Sequence, residues 1–367
     1  MYTTKPGRPN PSDQTRAMES LNLPALDYGS PTLPDEMIEH LKEYGVVLVQ
    51  LYQPDDPTLS QYLENLNAVM MKVKPGGGTA NGARNMGGIT KGYGGTCTEE
   101  VWVIRLDPRT KQCYAHLYTG MELKVSCDAY VGLEDDAVCN FTNKKDRIKE
   151  ENEFFKLTGG SLHAHIDVHP TNMETMGNQV LKTLKEICSD FPESIQGQLV
   201  LQDVPKGGAA FICAPGEHVA TDITHFNNMA KGDFSTCTPA GYKHLHGKWR
   251  TIDGIKAGTL ILWNSKLPHG NKLADAGVDC KRRGLFICWQ PADIIPKNMQ
   301  ADLKKRKFEA ITNGGSTDHW PGYVPGGNKG HSGNHYSNGK RLTRVIHNKD
   351  HPITFHPEME KMIMDAI

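Results

Sequence analysis

The sequence predicts a mainly β chain with flanking helices (α+β), its core a jelly roll or sandwich. About eight apolar runs of strand length follow Val101, Gly and Pro punctuate them, and a single helix-like stretch interrupts the series. No repeat and no long low-complexity linker divides the 367 residues, so one elaborated domain is expected.

Residues 1–33 read as a flexible leader, because "MYTTKPGRPNPSDQTR" is polar and Pro-rich and lacks an apolar signal core. "PDEMIEHLKEYG" (34–45) has helical spacing and stops at Gly45, and the β-branched "VVLVQLY" behind it has strand length. A second helix is expected over 56–73. "KPGGGTANGARNMGGITKGYGG" (74–95) is too glycine-rich for a regular element. It has no GKS or GKT ending, so a mobile loop or active-site flap fits better than a phosphate loop. The expected strands are "VWVIRL" (101–106), "ELKVSCDAYV" (122–131), "AVCNFT" (137–142), "SLHAHIDV" (161–168), "GQLVLQDV" (197–204), "AAFICA" (209–214), "GTLILWN" (258–264) and "GLFICWQ" (284–290). "METMGNQVLKTLKEIC" is the intervening helix. Residues 216–250 read as a polar insertion, and 326–367 as an irregular C-terminal extension on a domain spanning 34–325.

Composition narrows the function. Lys plus Arg number 41 and Asp plus Glu 42, so no basic excess exists to neutralise a phosphate backbone. "LKKRK" (303–307) reads as a solvated helix face. Nine scattered cysteines, none in a CxxC pair, fit reduced thiols in a cytoplasmic protein. No apolar run has bilayer-spanning length. A small-molecule partner is therefore expected, and neither nucleic acid nor membrane.

The chemistry concentrates in "LHAHIDVHP" (162–170). Strand alternation puts His163, His165, Asp167 and His169 on one face and Ile166 and Val168 on the other. Polar groups inside a β-roll need a partner, and a metal ion supplies one. His165 and Asp167 form an H-x-D unit that binds adjacent corners of an octahedral ion. A histidine from a distant strand completes a facial triad with three open positions, the pattern of non-haem Fe(II) oxygenases. His269, at the end of "AGTLILWNSKLPHGNK" (257–272), meets that need. Beyond it, "KRRGLFICWQP" carries Arg282 and Arg283 at a strand mouth, where a guanidinium grips the far carboxylate of a keto-diacid.

"HID", "LPHGN" and "RRGLFICW", in this order, resemble the Fe(II)/2-oxoglutarate-dependent oxygenases of the phytanoyl-CoA dioxygenase-like family. "IQGQLVLQDVPKGGAAFICAPGEH" (195–218), "EYGVVLVQLYQPDD" and "STDHWP" (316–321) agree, so the resemblance spans roughly 35–325. It implies a double-stranded β-helix (jelly-roll, cupin-like) core with His165, Asp167 and His269 as iron ligands. Arg282 matches the 2-oxoglutarate arginine, seven residues before Trp289, with Arg283 next if the register slips by one. Asn271 and Gln198 match positions that touch 2-oxoglutarate. The implied cofactors are Fe(II), 2-oxoglutarate as co-substrate and O2, with ascorbate helpful. The implied reaction is oxidation of an unactivated C–H bond by hydroxylation, desaturation or oxidative cyclisation. A carboxylate at 167 argues against halogenation. Two features depart from the family pattern: Glu217 replaces Ser in the Pro-Gly-x-His turn, and the 216–250 insertion unsettles any inherited substrate preference.

The substrate expected is a small amino-acid-derived or carboxylated metabolite, with kainoid-synthase-like cyclisation as one candidate reaction. The alternative is a cupin-like metal-binding or sensory protein without turnover. His163 is read as pocket wall or packing, His169 as rim, His218 as structural and Arg105 as half of a salt bridge. His116, His225, His244, His246 and His356 take the default of surface or satisfied core groups.

Overall fold

A computed structural model describes residues 18–73, 89–90, 95–133, 148–158, 164–168, 176–220, 222–226, 235–275, 277–279, 281–315, 319–321, 336–337, 340–341 and 352–367. Its strands, up to Pro291, are β1 (Leu26–Asp27), β2 (Val46–Gln50), β3 (Ile89–Thr90), β4 (Leu123–Val125), β5 (Tyr130–Leu133), β6 (His165–Ile166) and β7 (Ile195–Val200). There follow β8 (Ala210–Cys213), β9 (Ser235–Thr236), β10 (Arg250–Ile252), β11 (Thr259–Asn264), β12 (His269–Lys272), β13 (Arg282–Phe286) and β14 (Trp289–Pro291). Seven form one sheet, ordered β1-β2-β11-β7-β13-β5-β3. Five form a second, ordered β10-β8-β12-β6-β9, and β14 pairs with β4 alone. The architecture is mixed α+β.

Three apolar layers hold the sheets. Between them lie Val46, Leu48, Val131 and Ile261 of the larger sheet with Phe211 and Cys213 of the smaller. The alternate residues Val47, Val49, Leu260 and Leu262 pack with helical residues such as Met37, Leu41 and Leu66. Strands buried on both faces explain why "VVLVQ" and "TLILWN" are continuous apolar runs rather than alternating ones. On the far side of the smaller sheet, Ile166, Val168 and Ile212 meet Phe154, Tyr242 and Trp249.

The helix Leu33–Glu43 shows how locally the layers are written. Pro34 sits in its first turn, Asp35 and Glu36 favour its N-terminus, and Leu33, Met37 and Leu41 form the buried stripe. Each fully buried Leu or Met contributes roughly 1.5–3 kcal/mol, so burial outweighs helix propensity here. Gly45 ends the segment at φ +75°, where a Cβ would stand 2.6 Å from His218 Nδ1. Only glycine suits both demands.

Several expectations need correction. "VWVIRL" lies in a helix, Glu99–Arg105, whose buried Val101, Ile104 and Arg105 follow helical i, i+3, i+4 spacing. "ELKVSCDAYV" breaks into β4 and the start of β5, which belong to different sheets. The leader is tied down from Ser20, which bridges Thr251, to Leu26, which pairs with Val49. The C-terminal extension ends in a helix, Pro357–Ala366, burying Met359, Ile363 and Ala366. The 216–250 insertion supplies Tyr242 and Trp249 to the core, so it is no mere surface loop. "AVCNFT" (137–142) lies outside the described residues, as does most of the 74–95 flap. Seven described cysteines are buried free thiols. Among the described residues no helix is long and apolar enough to cross a membrane.

Candidate metal centre

His165 on β6 and His269 on β12 are paired directly across antiparallel strands. Their ring centroids are 4.3 Å apart. The strand expected over 161–168 is regular only at His165–Ile166 among the described residues. Asp167 follows its end, fixed by an amide hydrogen bond to Ser265 O at 2.9 Å. One ligand atom from each of His165, Asp167 and His269 lies within 4.8 Å of the others, and no other such cluster occurs among the described residues.

His269 Nδ1 lies 2.9 Å from Leu267 O, a contact only an N–H can satisfy, which leaves Nε2 as the nitrogen turned to the group. Nε2 faces Asp167 Oδ2 at 3.2 Å. Oδ2 is buried and accepts no hydrogen bond among the described residues. A buried carboxylate oxygen and an imidazole nitrogen this close are joined by a cation, either a proton or a metal ion. Burial pushes the Asp167 carboxyl up, but His269, His319 and His165 outweigh it and hold it well below the usual carboxylate range. Two imidazoles and one carboxylate fit a divalent first-row metal with coordination positions to spare. Phe211 stacks on His269 at 5.4 Å and Trp263 stands at 5.6 Å, walling its ring from solvent.

A second polar group adjoins the first. Asn271 shares a face of β12 with His269, two residues or about 7 Å along the strand. Its Oδ1 accepts from Arg282 NH1 at 2.6 Å, and Gln198 Oε1 accepts from Arg282 NH2 at 3.0 Å. Arg282 is 3% exposed. Among the described residues it has no ion-pair partner, and burial alone pulls its pKa down to about 9. Gly284, next on that face, leaves room for the trio: a Cβ there would meet Leu199 O at 2.9 Å and Gln198 Nε2 at 3.2 Å. Arg283 turns to the opposite side, donating to Asn67 Oδ1 at 2.7 Å and to the carbonyl of Leu133.

The structure thus brings together His165, Asp167 and His269, and beside them Arg282, Asn271 and Gln198. His163 and His169 lie outside the described residues. His218 packs against Gly45. Arg105 is fully buried and binds the carbonyls of Thr96 and Asp128 rather than the expected carboxylate. His244 meets Glu217 at 2.6 Å and His246 meets Glu153 at 3.3 Å. None of His116, His225, His244, His246 and His356 joins the metal group. Sequence reasoning misses His319, whose Nε2 lies 3.7 Å from Asp167 Oδ1. The available signal was its place in "STDHWP", directly before the fully buried Trp320.

No family model matches the chain, and no curated protein matches it. Among solved structures it is similar to the GlcNAc Inducible Gene 2 protein of Candida albicans, at 14% identity and TM-score 0.49, over 79% of this chain and 71% of that one. It is also similar to the epimerase SnoN in complex with Fe3+, alpha-ketoglutarate and nogalamycin RO, at 12% identity and TM-score 0.46, over 72% and 85% of the chains. The non-haem alpha-ketoglutarate-dependent carbocyclase SnoK from nogalamycin biosynthesis gives 14% identity and TM-score 0.46, over 72% and 88%.

Proposed function

We propose that the protein is an Fe(II)- and 2-oxoglutarate-dependent oxygenase with a double-stranded β-helix (jelly-roll) core, of the phytanoyl-CoA dioxygenase-like type. One observation carries this reading: a buried arginine with no counter-ion among the described residues stands beside a two-histidine, one-carboxylate group. A guanidinium taken out of water without an anion is strongly unfavourable, and a ligand carboxylate relieves it through paired hydrogen bonds. Asn271 and Gln198 fix the direction in which Arg282 presents its donors. A keto-diacid would be held by Arg282 at its far carboxylate and by the metal group at its keto-acid end.

His165, Asp167 and His269 would hold the ion, and Arg282 the far carboxylate of 2-oxoglutarate. When bound, Fe(II) with 2-oxoglutarate and O2 supplies the oxidising power to break an unactivated C–H bond, with succinate and CO2 as co-products. Phe211 and Trp263 keep water from the His269 ring. The substrate proposed is a small amino-acid-derived or carboxylated metabolite, oxidised by hydroxylation, desaturation or cyclisation.

The test is a panel of such metabolites with Fe(II), ascorbate and 2-oxoglutarate, reading succinate. Succinate formed in step with substrate consumed, and absent in His269→Ala, is the expected result. Metal binding with no affinity for 2-oxoglutarate would contradict it and fit a cupin-like binding or sensory protein.

A further inference from the structure

We infer that His319 is a positioning residue for Asp167, fixing which carboxylate oxygen is presented to the metal, and that Asp128 orients His319 for this task. The inference rests on the oxygenase reading only in requiring a metal ion at His165, Asp167 and His269.

The two oxygens of Asp167 have different surroundings. Oδ2 faces His269 Nε2 at 3.2 Å inside the ligand group. Oδ1 faces His319 Nε2 at 3.7 Å and His165 Nε2 at 3.9 Å. At 3.7 Å the His319 contact is electrostatic, not a formed hydrogen bond; it gives Oδ1 a partner from outside the ligand group, beside His165, while Oδ2 keeps to His269. Metal-binding carboxylates depend on outer partners of this kind to keep one geometry.

The rest of the arrangement keeps the imidazole in place. His319 Nδ1 sits 2.5 Å from Asp128 Oδ2, so each ring nitrogen has a carboxylate oxygen nearby. Asp128 is 1% exposed, and its main-chain carbonyl accepts from Arg105 NH2 at 2.8 Å. His319, Trp320 and Pro321 lie outside any helix or strand, and described residues on either side are fastened. Gly315 O accepts from Cys97 Sγ at 2.9 Å, and Pro321 O from Lys307 Nζ at 2.5 Å. Trp320 is fully buried, and the edge of Phe286 abuts the His319 ring at 6.5 Å. An Asp–His pair is most often plain packing. Here one end of the pair points at a carboxylate of the metal group, which packing alone does not require.

Co(II) is a suitable probe because its visible spectrum reports coordination without turnover. In His319→Ala, Co(II) affinity should fall by about 10–100-fold, the usual cost of losing an outer partner, and the visible bands should change shape. Asp128→Asn, which keeps its shape, should shift both readouts in the same direction. The double variant should bind no more weakly than His319→Ala, because the two residues act as a unit. His319→Gln, which keeps a side-chain N–H, should recover part of the loss. Wild-type Co(II) affinity and spectrum in His319→Ala overturn the inference, including when only its melting temperature falls. His165→Ala separates the two claims. If it abolishes Co(II) binding while His319→Ala does not, the metal site stands and this inference fails. If wild-type protein binds no Co(II), both fail.

Discussion

Asp167 and Glu217 are buried or nearly buried carboxylates with imidazoles beside them, yet their surroundings differ. Glu217 has Lys248 Nζ at 2.9 Å and His244 Nε2 at 2.6 Å, so a fixed positive charge completes its pair. Around Asp167 the described residues contribute only imidazoles, and no lysine or arginine forms an ion pair with it. The Glu217 cluster is a finished ion pair that braces the 216–250 segment. The Asp167 cluster has no permanent cation of its own, and with opposite sign the same holds for Arg282, which has no anion beside it among the described residues. Histidine beside carboxylate is thus a metal-site signal only where no permanent cation closes the account.

The comparison breaks most readily at the ligands. His269→Ala should weaken Fe(II) or Co(II) binding by more than about 100-fold, beyond the about 10–100-fold of an outer partner, whereas His244→Ala should leave it unchanged. Isothermal titration of both variants checks this, and equal losses would erase the distinction.

The next effect is on the anion side. Arg282→Met should lower 2-oxoglutarate affinity by about 10–100-fold, as loss of a charged hydrogen-bonding partner of about 1.5–3 kcal/mol implies. Arg283→Met should cost stability through Asn67 and Leu133 but leave 2-oxoglutarate binding intact. Competition binding alongside thermal melts separates the two arginines.

The smallest effect belongs to the finished pair. Burial raises the Glu217 pKa, but Lys248 and His244 more than offset it and hold it below the usual value. A depressed folded pKa adds stability above the unfolded value of about 4.3, and this is lost as pH falls through the folded pKa. Glu217→Gln should therefore lower stability near neutral pH by less than about 1 kcal/mol, a gap that closes below about pH 4. Melts of both proteins across pH 3–7 would show it, and a gap constant with pH would contradict the pairing.

His165, Asp167, His269 and Arg282 were legible because each sits on or beside a strand: a period of two assigns faces, and the H-x-D unit, a distal histidine and an arginine at a strand mouth complete the pattern. Asn271 and Gln198 came only from the family resemblance. The choice of Arg282 over Arg283 was weaker. Counting back from Trp289 crosses a break between β13 and β14 at 287–288, where the period does not carry over. "VWVIRL" misled because its β-branched composition favours a strand, although its apolar positions carry helical spacing. His319 had no periodicity to place it: it stands outside any helix or strand, and Cys97, 218 residues from Gly315, and Lys307 hold its surroundings through contacts that no local pattern announces. The core role of 216–250 was hidden likewise, since Tyr242 and Trp249 stand among polar residues and are buried only by the sheet they cover.

The most direct test is an anaerobic titration of the purified protein with Fe(II) and then 2-oxoglutarate, followed by visible absorption. The account predicts a weak charge-transfer band that needs both additions, disappears in His269→Ala, and requires more 2-oxoglutarate in Arg282→Met. Saturable Fe(II) binding with no band and no affinity for 2-oxoglutarate would contradict it.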